Sequence, residues 1–198
     1  MDHLNLNTTS ASLLERLQQP APAAADWKRF HDLYLPLLRN WLTRTPGLGD
    51  ESEDVVQEVL IVVFNKVPEF RRQREGSFRT WLRKVTANRV RTWWRTRQRR
   101  PLVGVDPTDL FLSQLEDPTS QLSRRWDQEH DRHIFEKLLT AVKPDFEETT
   151  WKAFQLFAIE NRKAYDVADE LGISQNAVLL AKSRILKRLR EESAGLLD

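Results

Sequence analysis

The aliphatic residues of this chain recur at helical spacing, and this constrains the fold more than any other feature of the sequence. The clearest case is the segment 52–67, where two rows of apolar side chains share an i, i+4 spacing. These are Val55, Val59, Val63 and Val67 in one row and Val56, Leu60 and Phe64 in the other. Such rows give a helix one buried face. Strand-like alternation is nearly absent, and six glycines in 198 residues are too few for a turn-rich all-β protein. The sequence therefore predicts an all-α fold.

Length and composition narrow the class further. A chain of 198 residues suits one domain or two small ones, each able to bury a core. It contains no cysteine, which excludes a disulfide framework and thiolate chemistry and fits a reducing compartment. No apolar run approaches the roughly 20 residues of a membrane span, and the N-terminus lacks the pattern of a signal peptide. We expect a soluble, cytoplasmic protein without membrane insertion.

A strongly basic segment, rich in aromatic residues, occupies residues 71–100. It holds twelve Lys and Arg residues against a single acid, Glu75, so its net charge is +11 while that of the whole chain is +2. Phe78, Trp81, Trp93 and Trp94 are interleaved with these cations on what is predicted to be one long helix. Cations attract phosphate backbones, and exposed aromatic rings stack on unpaired bases. The alternative is a solvated basic face with its tryptophans in the core.

The C-terminal segment 164–192 has the spacing of a helix-turn-helix. Ala168 is small where two helices approach, Gly172 permits the turn, and Ser174 is a good N-cap for the second helix. Val178, Ala181 and Ile185 give that helix an inward face. Its other face offers hydrogen-bond donors for bases and phosphates: Gln175, Asn176, Lys182, Ser183, Arg184 and Lys187. An ordinary helical hairpin is the alternative.

Two helical domains are predicted, joined by a flexible linker. Residues 101–124 contain Pro101, Pro107 and Pro118 together with Gly104, a composition typical of a linker. The first domain is then 26–100, preceded by an N-terminal extension over 1–25, and the second domain is 125–198.

The first turns of the helix over 52–67 are acidic. Acids there complement the helix macrodipole, but Asp54, Gln57 and Glu58 also present a polar patch beside the valine rows. A metal-dependent nuclease would need more carboxylates at defined positions. His130 and His133, at i, i+3, are interpreted as a surface pair. With no third ligand, phosphate loop or nucleophile motif, we expect no metal, no cofactor and no enzymatic activity.

Three short motifs give the chain a resemblance to a known family. DVVQEV at residues 54–59, GSFRTWL at residues 76–82 and the pair Ala87 and Asn88 resemble region 2 of extracytoplasmic-function sigma factors, of the sigma-70 family. The terminal helix-turn-helix resembles region 4 of the same family. SLLERL near the N-terminus, with Trp27 and the segment 34–37, is similar to planctomycete-type members.

The resemblance implies a function for each surface. Asp54, Gln57 and Glu58 would dock on the β′ clamp helices of core RNA polymerase, and the second domain would lie near the β flap. Residues 69–77 and the following helix would capture and melt the promoter −10 element. The residues implied for −10 DNA are Arg71, Arg72, Ser77, Phe78, Trp81, Lys84, Asn88, Arg91 and Arg95. The six polar residues of the second helix of the helix-turn-helix would read the −35 element. An anti-sigma protein is a common further partner in the family.

The chain departs from the family pattern in its recognition helix. Asn176 to Leu180 read NAVLL, where Gly-Thr-Val followed by a basic residue is common. Leu179 and Leu180 cannot donate to a phosphate or a base edge, so contacts should shift to Gln175, Lys182, Ser183 and Arg184. Two other classes stay open: a plain helix-turn-helix regulator would bind duplex DNA without polymerase, and a small nuclease would cut DNA by itself.

Overall fold

The structure is a computed structural model that describes residues 12–71, 77–97, 107–194 and 196–197. Within these ranges every regular element is a helix, as predicted, and no strand is formed. The α-helices are α1 Leu13–Leu17, α2 Ala24–Leu42, α3 Ser52–Lys66, α4 Ser77–Arg97, α5 Pro107–Glu116, α6 Gln121–Val142, α7 Glu148–Phe154, α8 Ala164–Leu171 and α9 Gln175–Ser193. None of them combines the length and apolarity needed to cross a bilayer. The chain divides into two compact units, whose main bodies are Leu13–Ile134 and Phe135–Ala194.

The core of the first unit forms around α3, which packs against both α2 and α4. Its first valine row is completely buried, as the spacing predicts: Val55, Val59, Val63 and Val67. The second row is buried only at its start, because Val56 is buried, Leu60 is half-buried and Phe64 is 54% exposed. The helix therefore buries a narrower stripe than predicted and leaves apolar surface on its outer side.

An aromatic cluster holds α2 and α4 together in the same unit. Phe78 is 1% exposed and lies edge-on to Phe30, Tyr34 and Phe70, with ring centroids 6.1, 5.7 and 5.4 Å away. Phe30 stacks on Tyr34 with centroids 4.4 Å apart. The prediction that Phe78 faces −10 DNA is therefore wrong, since its ring is enclosed by other rings in the core.

The loop between α2 and α3 is held against α4 by a glycine. Gly47 has a φ of +79°, and a Cβ built on it would lie 2.3 Å from Cζ2 of Trp94. The indole of Trp94 thus occupies the space that any side chain at position 47 would need. Glycine is required here both for its left-handed backbone and for this close approach.

The structure describes residues 107–124 of the segment predicted as a linker. Residues 101–106 lie outside the described ranges, but α5 packs against α4 and buries Leu112 and Leu115. In α6, Trp126 and Ile134 are completely buried, and the first compact unit extends to Ile134 and not to residue 100. Of the prolines that the structure describes here, Pro107 begins α5 and Pro118 lies between α5 and α6.

The second unit is built on α7, α8 and α9. Its central cluster consists of Ala153, Leu156, Val167, Ala168, Val178 and Ala181. Gly172 ends α8 in the left-handed conformation, with a φ of 63°, and the Ser174 side chain accepts a hydrogen bond from the Ala177 N–H at the start of α9. These contacts confirm the turn, the N-cap and the inward face that the sequence predicts.

Candidate core-binding and nucleic-acid interface

The three residues predicted to contact core polymerase lie together on the outer side of α3. Asp54, Gln57 and Glu58 are all exposed, while four valines of the same helix are buried: Val55, Val56, Val59 and Val63. Beside them, Glu53 accepts two hydrogen bonds from the Arg39 guanidinium, at 2.8 and 2.6 Å. The hydrogen bond from Arg39 lowers the pKa of Glu53, so that carboxylate is already engaged by α2. The exposed patch beside this pair is acidic and amide-bearing, and it consists of Asp54, Gln57 and Glu58.

The same side of α3 becomes apolar toward its C-terminal end. Ile61 is 59% exposed and Phe64 is 54% exposed. They line a shallow groove with Leu35 of α2, and the Phe64 ring lies 4.4 Å from that of Trp27, measured between ring centroids. The outer face of this helix thus offers a polar end and an apolar end in one continuous strip.

The basic helix α4 contains two kinds of cation. Lys84 and Arg95 are exposed, and so is Asn88, which is also among the residues implied for −10 DNA. Arg91 is only partly exposed and donates to Glu116 of α5 at 2.7 Å, besides contacting Asn88 at 2.9 Å. Arg91 thus forms an ion pair with Glu116, which the sequence alone does not predict.

Arg79 and Arg83 of α4 form ion pairs with aspartates of α6. Arg79 donates from one nitrogen to both carboxylate oxygens of Asp131, at 2.7 and 2.6 Å. Arg83, which is 2% exposed, donates to Asp127 at 2.7 Å and to the carbonyl oxygen of Ser123 at 3.3 Å. Each pair is spaced i, i+4 on its own helix, so two adjacent turns of α4 meet two adjacent turns of an antiparallel α6. These two arginines hold the fold together and are not part of the accessible basic surface.

The tryptophans of α4 are all half-buried. Trp81 packs against Phe70 and Phe78, with ring centroids 5.4 and 5.3 Å away. Trp93 and Trp94 are nearly perpendicular to each other at 6.0 Å. Each ring therefore uses part of its surface for packing and keeps an edge or part of a face accessible.

Some of the residues implied for −10 DNA are not described by the structure. Arg72 and the side chain of Ser77 lie outside the described residues. Arg71 is exposed and donates to the carbonyl oxygens of Pro68 and Phe70, at 3.1 and 3.2 Å. Its guanidinium is thus placed at the surface where α3 has ended.

The two histidines of α6 are not a surface pair, contrary to the prediction. His130 is 0% exposed, with Nδ1 3.0 Å from Asp131 and Nε2 3.4 Å from the Tyr34 hydroxyl. Burial lowers the pKa of His130, although hydrogen bonding to Asp131 opposes that shift. A neutral ring that donates from Nδ1 and accepts at Nε2 satisfies both contacts. His133 bonds the carbonyl oxygen of Leu33 at 2.8 Å.

Asp131 carries charge in this buried network. Burial raises the pKa of its carboxyl, but hydrogen bonds from His130 and Arg79 outweigh that effect, and the net pKa is lowered. Across the described ranges, no group of three His, Asp or Glu side chains is placed to hold a metal ion. The histidines and the aspartate instead form a structural joint between α2, α4 and α6.

In the second unit, α9 presents the predicted reading face. All six of its polar candidates are exposed: Gln175, Asn176, Lys182, Ser183, Arg184 and Lys187. The Lys182 ammonium lies 5.2 Å from the ring of Phe157, and Lys187 lies 4.0 Å from Glu191. Leu179 and Leu180 are exposed on the same helix. The face is thus mixed, with amides and cations around an apolar pair.

Sequence reasoning missed the acids that organise α4: Glu116, Asp127 and Asp131. Their signal was the i, i+4 spacing of Asp127 and Asp131, which matches that of Arg79 and Arg83. The buried Trp126 beside Asp127 shows that this stretch of α6 has a core-facing side. Only knowledge that α6 packs on α4 turns the two spacings into a pairing.

Comparison with known proteins agrees with this geometry. Residues 30–100, which include α3 and α4, match the family described as Sigma-70 region 2. The chain is also 28% identical over 141 residues to a probable RNA polymerase sigma factor, RfaY, of Xanthomonas campestris pv. campestris. That alignment covers 71% of this chain and 34% of the relative, so the chain spans about a third of the length of the curated protein it matches.

The fold and the matched residues define a helical protein with a sigma-70 region 2. Residues 30–100 match Sigma-70 region 2, and the chain is similar to an RNA polymerase sigma factor. This confirms the family resemblance carried by residues 54–59 and 76–82. The planctomycete-type subgroup stays a prediction.

Proposed function

We propose that this protein binds core RNA polymerase and directs promoter-specific initiation, with its first unit at the −10 element and its second unit at the −35 element. The observation that carries the proposal is the match of residues 30–100 to sigma-70 region 2, in a unit whose α4 exposes Lys84, Asn88 and Arg95. Support for the second role comes from α9, a helix-turn-helix second helix with an exposed polar face.

The proposed docking surface for polymerase is Asp54, Gln57 and Glu58. A partner with complementary cations, such as the β′ clamp helices, would desolvate these groups, and truncating one side of such a contact typically costs about 2–5 kcal/mol. Replacing Asp54 and Gln57 together by alanine should therefore weaken core binding by tenfold or more in a titration with labelled core enzyme. Circular dichroism should stay unchanged, because both side chains are exposed.

A matched control exists on α5. Asp109 and Gln114 are also an exposed acid and an exposed amide of the first unit, and their double alanine variant removes the same groups from another surface. It should bind core polymerase as wild type does. Equal affinities for the two double variants would remove α3 as the docking surface.

The proposed melting surface is the accessible part of α4. Alanine at Lys84 and Arg95 should slow open-complex formation on a duplex promoter and matter less on a bubble that is already melted, because stacking and charge then no longer drive strand separation. The control is alanine at Arg124 and Arg132, two exposed arginines of α6. If the α4 variant were equally defective on both templates, simple electrostatic adhesion would replace melting as its role.

The proposed −35 reader is α9, with the β flap as its polymerase neighbour. Its six exposed polar residues are suited to a mixture of base and phosphate contacts in the major groove. In vitro transcription with core polymerase and a randomised promoter pool tests the whole proposal, since it reports both activity and the preferred sequences. A chain that neither binds core polymerase nor supports initiation would refute it.

A further inference from the structure

Two leucines interrupt the polar outer face of α9. Leu179 is 50% exposed and Leu180 is 43% exposed. Side chains three or four positions apart are neighbours on a helix, so both leucines adjoin Asn176 on one side and Ser183 on the other. The inward row of the helix is complete without them: Val178, Ala181, Ile185 and Leu189 are all buried. The leucines therefore have no role in the core of this unit.

The charged residues around the leucines indicate which kind of partner would bind there. The segment 175–190 contains five Lys and Arg residues and no acid. Arg188 is engaged by Asp145 and Glu192, at 2.9 and 3.0 Å, but Lys182 and Arg184 are exposed beside the leucines. An apolar protein helix would leave these cations desolvated and unpaired, whereas a polyanion would pair with them. The occupant that fits this face is duplex DNA.

We propose that Leu179 and Leu180 read thymine C5-methyl groups in the major groove, which makes thymine a determinant of the −35 sequence. The inference rests on the proposed function of α9 as a duplex reader. Thymine is the one standard base that presents a methyl group in the major groove, and apolar side chains contact it there. The neighbouring amides of Gln175 and Asn176 have the donor–acceptor pair that suits adenine. Together they specify a −35 element that contains A·T pairs.

The test starts with selection and ends with a change of single methyl groups. The full chain, bound to core RNA polymerase, selects from duplexes randomised across the −35 element. The enriched duplex is resynthesised with deoxyuridine at each thymine in turn, which removes the methyl and leaves the hydrogen-bonding edges intact. At a contacted thymine the affinity should fall about fourfold, as expected for one buried carbon group worth about 0.8 kcal/mol.

Variants assign the effect to the leucines. Leu179→Ala and Leu180→Ala should bind the thymine and deoxyuridine duplexes equally at the position each one reads. Ile159→Ala is the matched control, since Ile159 is 52% exposed in the same unit but lies outside α9. It should keep the full sensitivity to deoxyuridine, and all three variants should keep wild-type helical content.

Each result is decisive. Enrichment of thymine-containing sequences, with a methyl effect that disappears in a leucine variant, supports the inference. A selected duplex that binds equally well with deoxyuridine overturns it while the proposed function stands, and so does a methyl effect that survives in both leucine variants. Leucine variants that lose core polymerase but keep their sequence preference would show a protein contact instead. Absence of any enriched sequence would count against the proposed function itself.

Discussion

Removal of the Asp127 carboxylate should destabilise the first unit strongly. The guanidinium of Arg83 is buried, at 2% exposure, and Asp127 lies 2.7 Å from it. In Asp127→Ala the positive charge would keep only the carbonyl oxygen of Ser123, at 3.3 Å. Arg79 would lose its weaker contact to Asp127 at 3.4 Å but keep Asp131. The damage should therefore be concentrated on Arg83.

The size of the effect follows from the burial of the two partners. Removing one side of a buried ion pair typically costs about 3–5 kcal/mol. The Asp127 side chain is 31% exposed, so water already reaches one side of the pair. We therefore expect the lower end, about 3 kcal/mol, which corresponds to a fall in Tm of roughly 10 °C for a unit of this size.

A double-mutant cycle measures this contact by urea denaturation followed by circular dichroism. Asp127→Ala, Asp127→Leu and Arg83→Met should each destabilise, while the double variant of Arg83→Met with Asp127→Leu, which closes the cycle, should recover much of the loss, because apolar replacements of a buried pair are often nearly neutral. Lys84→Met is the control on the same helix. Lys84 is exposed, so its variant should change stability by less than about 0.5 kcal/mol. A loss below about 1 kcal/mol in Asp127→Ala, or no coupling in the cycle, would refute this account of α4 and α6.

Three further predictions concern pH, backbone and DNA. Burial lowers the pKa of His130 below its ordinary 6.5, so the unfolded chain binds protons more readily, and the free energy of unfolding should fall as the pH drops through about 6.5. His130→Gln should flatten this pH dependence of stability between pH 7.5 and 5.5. An unchanged slope would exclude His130 as its source. Gly47→Ala should lower the free energy of unfolding, measured by thermal denaturation, by about 2–4 kcal/mol, since it adds both a clash and backbone strain. Gly49 has a φ of +50° and no atom within 4 Å of an added Cβ, so Gly49→Ala should lower it by only about 1 kcal/mol. Equal losses of stability would contradict the close packing at position 47. Lys187→Ala should weaken binding to all −35 sequences and lower the slope of log affinity against log salt concentration by about one, while Gln175→Ala should relax the preference for one base by about 1–3 kcal/mol. The reverse pattern would show that the bases are read by another part of α9.

Much of the fold follows from the sequence because its signals are local. Helical spacing predicts the buried row that begins at Val55, and turn and cap chemistry predict Gly172 and Ser174. These features depend on residues within one or two turns, so a single sequence contains all the information they need. The family resemblance rests on short motifs of the same kind.

The errors concern contacts between segments far apart in the chain. Aromatic residues among arginines suggest stacking and so predict Phe78 at the DNA surface, but its burial depends on Phe30 and Tyr34 of α2. The sequence predicts His130 at the surface, because no local pattern shows that α6 packs on that cluster. In both cases the side chain is buried by a contact with a distant segment of the chain. The spacing of residues along one helix does not reveal such a contact.

The candidate site divides in the same way. Exposure of Asp54, Gln57 and Glu58, and of the reading face of α9, followed from helical position alone. The division of the α4 cations into accessible and paired groups did not, since it depends on acids of α5 and α6. Net charge alone therefore overstates the accessible basic surface of α4.

The most direct test of the account is run-off transcription with purified core RNA polymerase on promoters selected from a randomised pool. We expect discrete transcripts that require this chain, are reduced by alanine at Lys84 and Arg95, and persist when Arg124 and Arg132 are replaced instead. Duplex binding without any effect on transcription would indicate a plain helix-turn-helix regulator. Cleavage of the template, or no dependence of the transcripts on this chain, would contradict the central claim.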